Sequence, residues 1–398
     1  MTVFEVQSDR DRLLRERLEK EPSVQRVLEH LARAPELVGT RRHFLARALR
    51  LSKDIAPDLH AMLEAARQQL AIDIEVELFV YPAAEFNAAC ARPERGRVFL
   101  LFSAALLEAF DPGELAFVLG HELGHFIYDH HGLPLGALLH EQSGVPARTA
   151  LELFAWQRYA EISADRAGLL VAGSLDPAAR ALFKLSSGLR TAPGPAEIAA
   201  FVDQARDLYE EVEDTRSTEA APHSDWMSSH PFSPIRLQAA RAFADTSHMG
   251  GDRSLADVEV EVSESMRLME PGYLDEDSDA AEAMRRYLFA AGVVLAGVHR
   301  PIDPREIDTL RSLLGAGRVP DKVNPELLVQ HLEARAAQVR DKVSPGRRAQ
   351  VIRDLALVAK ADEHIHPDER SFLSRCATSL GVPTHVAEQA LGEAVELD

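Results

Sequence analysis

The pentapeptide His121-Glu122-Leu123-Gly124-His125 constrains this chain more than any other stretch. Its two histidines stand four residues apart, so on a helix they share one face and can aim ring nitrogens at a single zinc ion. Glu122, one step round the helix, lies beside that ion without binding it and can take a proton from a metal-held water. The flanking residues place the pentapeptide mid-helix. Asp111-Pro112-Gly113-Glu114 reads as a helix start, with Asp111 as N-cap, Pro112 at the first helical position and Glu114 closing a capping box. Leu115, Val118, Leu119, Leu123, Phe126 and Ile127 form an apolar stripe, and Gly132, after His130 and His131, offers a stop. A helix this apolar is expected to be buried, and two histidines inside it call for a metal.

Catalytic zinc sites use three protein ligands and keep one position open for water. His131 falls at the spacing of the metzincin pattern H-E-x-x-H-x-x-G-x-x-H, but Tyr128 stands where that pattern needs its helix-breaking glycine. On an unbroken helix His131 would lie about 15 Å along the axis from His121, too far to share an ion. Glu161 is the better third ligand. It belongs to a second helical segment, about residues 147–172, in which Glu161 and Asp165 are again four apart on one face. Two carboxylates on an apolar helix are costly unless paired or metal-bound. Glu161 as ligand fits, with Asp165 accepting a hydrogen bond from the remaining ring nitrogen of His121 and so fixing its tautomer. The alternative is an exposed acidic face paired with Arg158 and Arg166.

H-E-L-G-H followed by E-x-x-A-D resembles the gluzincin peptidases typified by the CAAX prenyl protease and the heat-shock protease HtpX. Flanking stretches agree. Phe86-Asn87-Ala88-Ala89 resembles the family's N-A-F-A segment, with Ala89 in place of the aromatic. Val98 to Ser103, followed by Leu106-Leu107, resembles the strand and helix that lead into the zinc helix. Ser229-His230-Pro231 with Arg236 resembles the late H-P-x-x-x-x-R element. Four separated motifs occur in the family's order, over roughly residues 35–245. The resemblance implies one catalytic zinc held by His121, His125 and Glu161, with Glu122 as the catalytic base and His230 near the active site. His230 can donate to the oxyanion of a tetrahedral intermediate, or it can occupy the open zinc position and hold the enzyme latent. Arg236 is expected to brace this segment through a carboxylate. The resemblance further implies an extended peptide lying antiparallel to a sheet edge, with residues 97–103 as the strand concerned and residues 74–81 as its neighbour.

The rest of the composition mainly excludes. A formal net charge of −19 argues against nonspecific nucleic-acid binding and against an anionic membrane surface. Only two cysteines occur, Cys90 and Cys376, so no disulfide framework is expected. Residues 1–21 are charged throughout, unlike a signal peptide, and no window approaches a membrane-spanning apolar run. A cytoplasmic protein is therefore the expectation, unlike the membrane-embedded relatives.

Residues 4–70 are helical in pattern. Residues 210–228 and about 245–280 are acidic, the latter reading as a linker, although Val258-Glu259-Val260-Glu261-Val262 alternates like an isolated strand. Beyond it, Ile302, Pro304, Glu306 and Leu310 recur 63 positions later as Ile365, Pro367, Glu369 and Leu373. Both copies follow an apolar helical stretch and open a new helix with proline, capped by Asp303 in one and His366 in the other. Two similar helical hairpins in one small all-α domain are expected. Ala361 to Glu369 resembles the A-D-G-x-I-x-x-x-E repeat of TerB-like tellurite-resistance domains, with Glu363 for the glycine, and the resemblance covers about residues 281–396. Asp362, His364, His366 and Glu369 can be drawn as a divalent-ion site, but capping and turns explain them equally well.

The chain is thus expected to be mainly α (α+β): a zincin-like peptidase domain with a small mixed or antiparallel sheet in residues 1–245, an acidic linker in 246–280, and an all-α TerB-like domain in 281–398. The expected function is zinc-dependent endopeptidase action on a peptide or protein substrate, with the helical domain recruiting substrate, engaging a partner protein or regulating access. The alternative is a zinc-bound interaction or chaperone-like protein with little or latent proteolysis.

Overall fold

The computed structural model describes residues 3–33, 39–140, 143–213, 228–270, 272–273, 278–298, 302–315, 318–320, 325–361 and 364–392. Two compact units emerge: one spans Met1–Val145, Leu153–Arg206 and Ser228–Met266, the other Pro146–Glu152, Asp207–Met227 and Arg267–Asp398.

The first unit begins with helices α1 (Asp9–Leu18), α2 (Pro22–Arg33) and α3 (Thr40–Arg47), then a two-residue strand β1 (Leu49–Arg50) and α4 (Pro57–Gln69). Strands β2 (Glu75–Tyr81), β3 (Ala88–Glu94) and β4 (Arg97–Ser103) complete a four-stranded mixed sheet in the order β1-β2-β4-β3. β4 pairs parallel with β2 along its whole length and antiparallel with β3, so it is an inner strand. That corrects the expectation that residues 97–103 form the substrate edge. A run as apolar as Val98–Phe102 needs cover on both sides, and the edge strand beside it is β3, with β1 at the opposite edge. Phe79 and Phe99 are buried on one face of the sheet against Phe44 of α3.

Ser103 then caps the short helix α5 (Ala104–Ala109), its hydroxyl accepting the Leu106 N–H. Next comes α6 (Pro112–Ile127), which opens with the expected capping box: Asp111 accepts the Glu114 N–H, and Glu114 accepts the Asp111 N–H, both at 2.9 Å. Glu114 is fully buried, and Lys184 on α9 (Leu175–Ser187) balances its charge at 2.7 Å. α6 ends at Ile127, earlier than Gly132, because Asp129 turns left-handed at φ 51°. After a single helical turn, α7 (Leu135–Leu138), the long helix α8 (Ala147–Ala172) crosses α6 closely. The crossing depends on glycine. A Cβ added at Gly124 would stand 3.0 Å from the Ala164 Cα, and one at Gly168 would stand 2.7 Å from the Phe117 carbonyl oxygen. The glycine inside the pentapeptide thus serves packing, and it lets the His121/His125 face meet the Glu161/Asp165 face.

α10 (Pro195–Glu213) follows α9, and α11 (Ser233–Ala244) packs on α9. Residues 214–227, within the acidic stretch noted above, lie outside the described residues. The expected linker instead carries α12 (Leu255–Met266). Val258, Val262 and Met266 are buried at helical spacing while Val260 stays exposed, so the V-E-V-E-V alternation is the outer view of a helix docked on α11. Asp275, Glu276 and Asp277 lie outside the described residues.

In the second unit, α13 (Asp279–Ala296) and α14 (Pro304–Leu314) form one hairpin, and α16 (Pro345–Lys360) and α17 (Pro367–Leu380) the other. Each is followed by one more helix, α15 (Pro325–Lys342) and α18 (Thr384–Gly392), which the repeat does not announce. Both proline-led helices carry capping boxes, Asp303 with Glu306 and His366 with Glu369, and both glutamates are fully buried. Tyr287, Leu310, Ile352 and Leu373 lie in one all-helical core. Among the described residues no helix is long and apolar enough to cross a membrane.

Candidate metal centre

At the α6–α8 crossing the three expected donors converge. His121 Nε2 and His125 Nε2 lie 3.2 Å apart, and Glu161 places Oε2 at 3.5 Å from the first and Oε1 at 3.3 Å from the second. A tetrahedral ion with bonds of about 2.0–2.1 Å separates its ligand atoms by about 3.3–3.4 Å. The observed spacings match that, and the donor set of two imidazoles and one carboxylate suits zinc. Among the described residues these three are the one group of His, Cys, Asp or Glu donors that converges within 4.8 Å. Left without a cation, two lone-pair-bearing nitrogens and a carboxylate would face one another in a nearly dry site, with Glu161 2% exposed and His121 8%.

Charged neighbours pair with these donors. Asp165 Oδ1 lies 2.9 Å from His121 Nδ1, and a carboxylate accepting there leaves the lone pair on Nε2. Arg236 on α11 grips Asp165 through both oxygens, at 2.9 and 2.7 Å, and its Nη2 lies 3.5 Å from Glu161. Burial pushes the Glu161 carboxyl up, but His125, Arg236 and His121 outweigh it and hold it well below the usual carboxylate range. Asp165 is likewise lowered, burial being overcome by Arg236 and His121. Burial also pulls His125 down, yet Glu161 and Glu122 leave it raised.

Arg158 and Arg166, the alternative partners for these carboxylates, are engaged elsewhere. Arg158 donates to the Ser228 carbonyl at 3.0 Å and so anchors the segment that carries His230. Arg166 donates to Glu259 of α12 and to the Val6 carbonyl. Arg236 is the partner that spacing along α8 could not reveal, because it stands 71 residues beyond Asp165, on another helix.

Glu122 is buried at 7% exposure, and its charge bears on His125, Arg236 and the Cys90 thiol of β3. His230 sits at the rim: its side chain is 61% exposed, its Nε2 is 3.6 Å from Glu161 Oε1, and its Nδ1 is 2.8 Å from Ser229 Oγ. His131 is not among the converging donors. Its Nε2 is buried without a hydrogen-bond partner among the described residues, and burial presses its pKa down to about 4.

Two further residues escape a motif reading. His130, in the 3-10 turn after α6, brings Nδ1 to 2.8 Å from His125 Nδ1, and its Nε2 lies 3.1 Å from Asp11 of α1. His130 sits five residues past His125, a spacing visible in sequence, whereas nothing local marks Asp11. In the second unit, His366 accepts the Asp368 N–H and Glu369 accepts the His366 N–H, so both serve the cap, and Asp362 and Glu363 lie outside the described residues. Cys90 and Cys376 are both free.

Residues 54–143 and 136–244 match peptidase family M48, and residues 285–391 match the tellurite resistance protein TerB. The chain therefore carries a peptidase M48 domain followed by a C-terminal TerB domain, and M48 is a family of zinc metallopeptidases. Among curated proteins it is similar to the plastoglobule-localized metallopeptidase 48, chloroplastic, of Arabidopsis thaliana. The two are 34% identical over 165 residues, which cover 39% of this chain and 48% of that protein. The chain spans about half the length of this relative. No solved structure matches the chain. Family and relative together support a peptidase role of the metalloprotease class.

Proposed function

We propose that this protein is a zinc-dependent endopeptidase in which His121, His125 and Glu161 hold one zinc ion and Glu122 is the catalytic base. The observation that carries this reading is the convergence of the three donors at tetrahedral spacing beside a buried Glu122. Bound there, zinc supplies a Lewis acid that polarises the scissile carbonyl and acidifies water. The Glu122 carboxylate accepts the proton of the attacking water and returns it to the departing amine. Asp165, gripped by Arg236, keeps the His121 lone pair on Nε2. The free edge of β3, which packs along α6, offers main-chain donors and acceptors to an extended peptide, a mode that is tolerant of sequence.

For His230 we favour the donor role over the ligand role. Ser229 Oγ lies 2.8 Å from Nδ1, and with its hydroxyl as the donor the imidazole hydrogen stands on Nε2, 3.6 Å from Glu161, where it can be given to the carbonyl oxygen. His230→Ala is then expected to lower kcat by about 10²-fold with zinc affinity unchanged. Weaker zinc binding with a rise in turnover would instead mark His230 as a latency ligand.

Chelation tests the function as a whole. Cleavage of an unstructured protein such as casein should disappear when zinc is stripped and return on re-addition of one equivalent. Full zinc loading with no cleavage would favour the rival reading, a metal-bound interaction platform. The helical TerB domain is assigned to substrate recruitment or regulation; removing it should alter turnover of protein substrates more than of short peptides.

A further inference from the structure

Asp11 and His130 are buried and stand behind the metal centre, and the hydrogen-bond donors around them fix where each proton sits. Asp11 is fully buried on α1, and the four side chains that hydrogen-bond to it can all donate. Trp156 Nε1 donates to Oδ1 at 2.9 Å. Ser163 Oγ, Gln7 Nε2 and His130 Nε2 reach Oδ2 at 2.7, 2.9 and 3.1 Å. An indole nitrogen only donates, so Oδ1 acts as an acceptor here, as three further donors make of Oδ2. Ser163 Oγ is itself the acceptor of the Ser8 N–H at 3.0 Å, and of the two acceptors its own hydrogen can reach, Asp11 Oδ2 at 2.7 Å is nearer than the Tyr159 carbonyl at 3.3 Å, which places that hydrogen toward Asp11. Asp11 is thus an ionised acceptor, and the hydrogen between it and His130 belongs to His130 Nε2.

The rest follows along the chain of rings. A neutral imidazole protonated on Nε2 presents a lone pair on Nδ1. That lone pair faces His125 Nδ1 at 2.8 Å, and two ring nitrogens this close share one hydrogen. His125 therefore donates from Nδ1 and keeps its own lone pair on Nε2, the atom 3.2 Å from His121 Nε2 and 3.3 Å from Glu161. His121 reaches the same tautomer directly through Asp165. His125 reaches it through an intervening imidazole.

We propose that Asp11 and His130 are positioning residues that set the metal-binding tautomer and ring orientation of His125, so that α1 completes the centre from outside the M48-matching residues 54–244. The same helix start is held by Ser8, whose hydroxyl donates to Glu259 of α12 at 3.0 Å, so two segments flanking the M48 match converge on this support. The proposal rests on reading His121, His125 and Glu161 as zinc ligands.

Asp11→Asn supplies a sharp test because it reverses the proton order without changing shape. With the new side chain's amide oxygen accepting from Trp156, its N–H₂ would turn toward His130, push the His130 hydrogen onto Nδ1 and leave His125 with its hydrogen on Nε2. Zinc dissociation constants are to be measured on the full chain by chelator competition for wild type and for Asp11→Asn, His130→Phe, His130→Gln and Glu161→Ala. Asp11→Asn and His130→Phe are expected to bind zinc about 10- to 100-fold more weakly. His130→Gln should bind close to wild type, since its amide oxygen and nitrogen can take over the two ring nitrogens' roles. A merely structural part for Asp11 would lower the melting temperature of the metal-free protein and leave the zinc constant where it was; that result overturns the proposal. If Glu161→Ala also binds like wild type, the ligand reading fails, and the proposal with it. Should Asp11→Asn not fold, long-range ¹H–¹⁵N spectra of the wild-type histidines decide: Nε2–H on His130 with Nδ1–H on His125 supports the proposal, and Nδ1–H on His130 overturns it.

Discussion

Glu122→Gln is expected to lower kcat for peptide hydrolysis by about 10²–10⁴-fold while leaving zinc affinity close to wild type. The substitution keeps shape and removes one function, the ability to accept a proton. Glu122 lies on α6 between the two proposed histidine ligands, 7% exposed, where little else can substitute for it. Its charge is felt by His125, Arg236 and Cys90, and the Cys90 thiol is pushed well up by burial and by Glu122 itself, so it offers no base at neutral pH. The zinc donors are other residues, so metal content should be retained. Steady-state kinetics with a quenched peptide, together with elemental analysis of the same preparations, reads both quantities. Equal turnover in the variant would remove Glu122 from the mechanism.

Arg236→Met is expected to be the most destabilising single change at the site. Arg236 is 12% exposed at its side chain and compensates two carboxylates that are 3% exposed, Asp165 through a two-pronged contact and Glu161 at 3.5 Å. Methionine fills similar volume and leaves both charges buried beside each other. Breaking a buried pair from one side costs about 3–5 kcal/mol. Denaturant unfolding of the metal-free protein reads it as a shift in midpoint. Zinc should recover part of the loss, since a ligand that binds only the folded state stabilises it and this one returns a cation to the carboxylates. Asp165→Asn in the Arg236→Met background should also recover part of it. If Arg236→Met unfolds at the wild-type midpoint, the cationic clamp contributes nothing to stability.

The parts of this site that can be read from sequence are those with a local period. The pentapeptide, its Asp111 capping box and the Glu161/Asp165 pair are all one-helix patterns, and the structure has them on α6 and α8 as expected. Helical spacing says which side chains share a face, but not which face of another helix they meet. Sequence therefore gives Arg236 a bracing role without naming its partners, and it makes Arg158 and Arg166 look eligible for carboxylates they do not touch. Asp11 is the extreme case: it lies 119 residues from His130 and is one acid in a charged amphipathic run. Among strands, apolarity identifies β4 but not its place in the sheet, since a strand's neighbours are set by long-range pairing. The V-E-V-E-V stretch misleads because a period of two over five residues also fits a helix whose buried positions are four apart, as Val258, Val262 and Met266 are.

Zinc K-edge absorption spectroscopy on the zinc-loaded wild type tests the central claim most directly, because it reports the ligands rather than their consequences. The account predicts one zinc per chain with two imidazole rings at about 2.0–2.1 Å, light-atom oxygen donors for the rest and no sulfur. In Glu161→Ala the bound zinc should fall away. A thiolate scatterer at about 2.3 Å, or a zinc environment unchanged in Glu161→Ala, would contradict it.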